Sequence, residues 1–72
     1  MNIIRLKHYT VCFCCTKGEN PDDSRTETIS VVCDSFGSAL EAAREIIIHR
    51  FHLQPVAPVS CVEVGEAFVW QA

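Results

Sequence analysis

The sequence predicts an α+β fold of order β-β-α-β-β, a four-stranded, mostly antiparallel sheet with one helix packed on one face. Three observations lead there. Two runs rich in β-formers open the chain, Ile3–Thr16 and Thr26–Cys33. A single segment of helical period follows, "DSFGSALEAAREIIIHRF". The chain then closes on "VSCVEVGEAFVWQA", in which Gly65-Glu66 splits two short apolar runs.

The first strand contains Ile3, Ile4, Tyr9, Thr10, Val11 and Phe13. Its apolar phase slips near His8–Tyr9, which predicts a bulge there. Ile4 and Leu6 share a face with His8 before the slip, and Val11 and Phe13 lie opposite Cys12 and Cys14 after it. "KGENPDDSR" then holds Gly, Asn, Pro, Asp and Ser, each a turn former for its own reason. It predicts a long loop closing an antiparallel hairpin. The second strand alternates cleanly: Glu27, Ile29, Val31 and Cys33 on one face, Thr26, Thr28, Ser30 and Val32 on the other.

Asp34 and Ser35 are N-cap candidates for the helix, and Ser38 with Glu41 offers a capping box. Phe36, Leu40, Ala43, Ile47 and Phe51 recur at helical spacing and predict the core face. Pro55 and Pro58 push the following segment towards extended backbone. Gly65-Glu66 fits a two-residue type II′ turn, which sets Val64 opposite Ala67, Val62 opposite Val69 and Cys61 opposite Trp70. Both faces of that hairpin are largely apolar, and one helix can bury only one of them.

Length sets the frame for function. A chain of 72 residues is read as one domain, residues 1–72, with a small core. Its composition is 49% hydrophobic, more than a small monomer easily hides, which points to a protein partner or to a homo-oligomer. Residues 1–18 carry +3, residues 19–34 carry −4 and the remainder −2, so no basic footprint covers the molecule, and nucleic acid is disfavoured as a direct ligand. The first residues lack the apolar region of a signal peptide, and no apolar run is long enough for a bilayer. A cytoplasmic protein with reduced cysteines and no membrane contact is expected.

"VCFCCTKG" gathers three of the five cysteines. Cys12 and Cys15 have the C-x-x-C spacing, and with His49 and His52 they are the one candidate metal set. An extended strand, however, points Cys12 and Cys15 to opposite faces, and a redox pair belongs at a helix N-terminus. The plainer reading is cysteine as a small apolar strand residue, with no metal and no cofactor. No glycine-rich elbow or phosphate loop accompanies His49, His52 or the thiols, so an enzyme is not expected.

Arg5, Lys7 and Lys17 with Tyr9 and Phe13 suggest a strand face for single-stranded nucleic acid, against the simpler reading of an edge protected by charge. Asp22 and Asp23 in the acidic loop suit basic groups of a partner, against the simpler reading of a solvated loop. Phe68, Trp70 and Ile48 are the strongest interface candidates, with Glu41 and Glu45 beside Ile48 on the outer helix side. The alternative for Phe68 and Trp70 is a place in the core.

The stretch "TISVVCDSFGSALEAAREI", a strand running into a capped Ala-rich helix, and "VSCVEVGEAFVW", a terminal hairpin ending in an aromatic, resemble very small phage-encoded inhibitor proteins of the anti-CRISPR type. The resemblance implies a non-enzymatic protein that binds a host defence complex and occludes a surface meant for nucleic acid. The alternatives from other classes are a metal-binding or redox-responsive domain built on Cys12 and Cys15, and a single-stranded nucleic-acid-binding sheet.

Overall fold

The computed structural model describes residues 2–18 and 21–71. Strand β1 spans Asn2–Thr16, a 3-10 turn spans Pro21–Asp23, β2 spans Arg25–Cys33, helix α1 spans Phe36–His49 and β3 spans Gln54–Gln71. The three strands form one antiparallel sheet of order β2-β1-β3. Glu19 and Asn20 of the expected loop lie outside the described residues.

The α+β class holds, but the four-stranded ββαββ sheet does not: the order is ββαβ with three strands. The difference lies at Gly65-Glu66. A type II′ turn needs its first central residue at positive φ, and Gly18 is the one described glycine there. Gly65 and Glu66 instead run straight through β3, opposite His8 and Lys7. The reason is the length of β1. Its fifteen residues offer partners to the whole of β3, whereas a local hairpin would leave Asn2–Leu6 with no strand beside it.

β1 is therefore central, and its face alternation organises the core. Tyr9, Val11, Phe13 and Cys15 are at most 1% exposed and point to the helix side. Ile29 and Val31 of β2 join them, because cross-strand partners share a face: Val31 pairs with Tyr9 and Ile29 with Val11. Ala39, Ala43 and Ile47 cover this layer from α1, and Leu53 closes its end. Two alanines in the contact line let the helix lie close to the sheet.

The expected helix stripe needs a correction. Ala43 and Ile47 are buried and Leu40 packs at the margin, but Phe36 and Phe51 are 51% and 43% exposed. Phe36 sits in the first helical turn, where its ring meets Tyr9 at 4.9 Å between centroids and otherwise overhangs the sheet. Phe51 lies past the last turn. Ser35 is the N-cap: its hydroxyl accepts from the Ser38 amide at 3.2 Å, which settles the choice among the three candidate caps. The other end closes through the Arg50 amide on the Ile46 carbonyl, 2.8 Å, and the Leu53 amide on the Ile47 carbonyl, 3.1 Å. His52, at φ 56°, turns the chain into β3.

The expected bulge is present but on the partner strand. The β1–β3 register shifts between His8 and Tyr9, between Cys12 and Phe13 and between Cys14 and Cys15. At each shift β3 carries the additional residue: Val64, Val59 and Val56. The apolar slip in β1 is then a change of face and not a break in the strand. Ile4 and Leu6 point away from the helix side, and Tyr9, Val11, Phe13 and Cys15 point towards it.

Phe13 contributes the most apolar volume to this core after Tyr9. Phe13→Ala is expected to cost about 3–5 kcal/mol, a large share of what a domain of this size holds. Urea denaturation followed by circular dichroism checks it.

Candidate functional site: the uncovered ribbon

Beyond Lys7 the sheet narrows to two strands. β2 ends opposite Lys7, and α1 starts just after it, so residues 2–6 of β1 and 67–71 of β3 project as a ribbon past the helix. The molecule measures 48 × 21 × 14 Å, and its radius of gyration is 13.8 Å. A compact chain of this length would have about 11 Å.

The ribbon's helix-side face is set by register. Ile3 pairs with Trp70, Arg5 with Phe68 and Lys7 with Glu66. The Arg5 guanidinium lies over the Phe68 ring, 5.7 Å from its centroid, and its Nε is 3.8 Å from Glu66 Oε2. A cation over an aromatic face is attracted by the ring quadrupole. Lys7 Nζ is 3.1 Å from Glu63 Oε1, and this hydrogen bond, with the carboxylate charge, raises the lysine above its ordinary pKa. Trp70 is 68% exposed, Phe68 60% and Ile3 55%. The opposite face of the ribbon carries Ile4, Leu6, Ala67 and Val69.

The candidate residues therefore fall on three separate surfaces. Arg5, Lys7, Phe68 and Trp70 come together on the ribbon. Ile48, Glu41 and Glu45 lie on the outer side of α1, where Glu45 accepts from His49 Nε2 at 2.8 Å. Asp22 and Asp23 are exposed at the far end of the sheet, after the end of β1 opposite the ribbon. Ile3, opposite Trp70, completes the ribbon surface and was not among the expected residues. Trp70 was matched to Cys61 by the hairpin reading, which hid its pairing with Ile3.

The base-stacking face is corrected: Tyr9 and Phe13 are core residues beneath the helix, and Arg5 and Lys7 face carboxylates. The thiols also separate as strand geometry requires. Cys15 points into the core, while Cys12 and Cys14 are half-buried on the opposite face. Among the described residues no three His, Cys, Asp or Glu side chains gather as a metal site.

Family models, curated proteins and solved structures give no match.

The functional reading accordingly rests on geometry. No helix among the described residues is long and apolar enough to cross a membrane. All five cysteines are free. Burial pushes the Cys15 and Cys61 thiols above the ordinary thiol range, Cys61 with help from Cys33, and burial likewise raises the Tyr9 phenol. The Cys15 thiol donates to the Phe13 carbonyl, 3.6 Å away. A protonated, enclosed thiol is a poor nucleophile.

These shifts share a sign. The folded chain holds protons that the unfolded chain releases, so stability falls as pH rises. It is complete below the unfolded thiol pKa and is lost from about pH 8.5 upward. Melting temperature measured from pH 7 to 10 should decline across that window; a flat profile would contradict the buried placement of Cys15 and Tyr9.

Proposed function

We propose that this chain is a non-enzymatic binding protein that engages another protein through the helix-side face of the ribbon. One observation carries the reading. Trp70 and Phe68 stand 68% and 60% exposed beside Arg5, on a face that nothing among the described residues covers. Trp, Tyr and Arg dominate the energetics of protein interfaces because they bury large area and keep a polar or charged handle. Small monomers seldom leave such a group in water.

Neighbouring features support the same reading. Arg5, Lys7, Glu63 and Glu66 rim the aromatic surface with charge of both signs, which gives a partner directional contacts around an apolar centre. Arg5 spans the Phe68 ring and Glu66, and so restrains Phe68 before binding. No catalytic step belongs to this reading, and the buried thiols remain protonated.

The resemblance to small phage inhibitors supplies the kind of partner: a host complex that targets nucleic acid, occluded stoichiometrically in the cytoplasm. Free cysteines accord with a reducing compartment.

Affinity capture with the tagged chain tests the reading. A specific protein complex retained by the native chain should be lost, at least tenfold, with Trp70→Ala, and partly with Arg5→Ala. The helical signal of both variants should stay intact, because neither residue touches the core. Equal retention by Trp70→Ala would overturn the ribbon as the binding surface. Retention only of proteins unrelated to nucleic-acid defence would remove the narrower partner assignment.

A further inference from the structure

We infer that the free edge of β3 over Gly65–Gln71 pairs antiparallel with the same segment of a second copy, joining two sheets into one of order β2-β1-β3-β3-β1-β2. Three observations lead to this occupant.

The first is where the edge is protected. Both β2 and β3 are edge strands. β2 presents Thr26, Thr28 and Ser30 on its solvent face. β3 has two different halves. Between Gln54 and Val64 it carries Pro55, Pro58 and three additional residues relative to β1. Prolines and bulges are the devices by which proteins block an open edge, since one removes a donor and the other twists the backbone away. From Gly65 to Gln71 the register with β1 is unbroken, there is no proline, and Glu66 is the one charged residue. A blocked half beside an unblocked half marks the latter as the part left to be paired.

The second is area. The chain exposes 5020 Å², whereas a compact monomer of this mass exposes about 4,500 Å². The excess matches the apolar surface of Ile3, Val64, Phe68, Val69 and Trp70, on the order of 500 Å² from their side-chain sizes. Pairing the two edges covers two rows of unpaired backbone and the seam-side flanks of Phe68, Val69 and Trp70, side chains whose exposed area is part of that excess, and leaves the aromatic faces open.

The third is charge. The chain is −3 overall, but the ribbon together with the ion pairs at its base, Arg5–Glu66 and Lys7–Glu63, sums to zero, so two copies meet there without net repulsion. A two-fold axis at Phe68 sets the two Phe68 rings opposite each other, Ala67 opposite Val69 and Glu66 opposite Trp70. No carboxylate then faces a carboxylate across the seam. In this arrangement the aromatic faces of both copies adjoin, doubling the surface offered to a partner. The pairing does not depend on that partner's existence.

Sedimentation equilibrium of the full chain from about 5 to 500 µM tests the inference. A dimer mass is expected, with Phe68→Lys weakening self-association more than about 100-fold and Val59→Lys, in the blocked half, leaving it unchanged. Hydrogen exchange on the native chain is the second readout, independent of any variant. Amides within Glu66–Trp70 should gain protection as concentration rises through the dimerisation range. A monomer mass throughout, a dimer indifferent to Phe68→Lys, equal loss with Val59→Lys, or exchange in Glu66–Trp70 that ignores concentration would each overturn it. Capture of a partner by Trp70 fails or succeeds separately, so the two readings are distinguishable.

Discussion

A mismatch of lengths governs this molecule. The 14-residue helix is about 21 Å long. The 15-residue central strand is about 50 Å long. One helix therefore covers some six or seven residues of one face of β1, and the buried run Tyr9–Cys15 has that length. Everything N-terminal to it must either be covered by something else or stand in water. The division into a packed half and a projecting ribbon follows from this, and so does the exposure of Ile3, Phe68 and Trp70 at the ribbon end.

Within the covered half, small residues do much of the packing. Ala39 and Ala43 bring helix and sheet together, and Cys15 fills the last inward position of β1 with a side chain about the size of a serine. A thiol suits that place because it packs as an apolar group and needs only a weak acceptor, here the Phe13 carbonyl. The three-cysteine cluster of the sequence is thus divided between two environments. One member supports the core, and two lie on the open face beside polar Thr10 and Thr28. The same alternation that buries Cys15 prevents it from meeting Cys12 at a metal.

Much of this was legible in local pattern. β1 and β2, a helix cap among Asp34, Ser35 and Ser38, and the Ala43–Ile47 line all follow from periodicity and turn chemistry, which act over a few residues. Three features did not follow. Gly65-Glu66 has the composition of a tight turn, but a glycine permits positive φ without requiring it, and fifteen residues of waiting β1 edge outweighed the local preference. Phe36 and Phe51 fit the helical stripe by angle yet fall at or beyond its ends, where Phe36 keeps a ring contact with Tyr9 but both stay exposed. Tyr9 and Phe13, beside basic residues in sequence, were legible as a stacking face only if α1 lay on the other side of the sheet. Of the candidate site, Arg5, Lys7, Phe68 and Trp70 were nameable from residue type. Their convergence was not, because it is created by long-range pairing of residues about sixty apart.

The ribbon is the structural claim on which the binding surface and the free edge both rest. Cross-strand contacts in the NMR spectrum of the native chain test it most directly. Ile3 should show backbone contacts to Trp70, and Arg5 to Phe68, at the spacing of antiparallel partners. Contacts from Val64 to Ala67 and from Val62 to Val69 in their place would mean a local hairpin at Gly65-Glu66, and the ribbon would not exist.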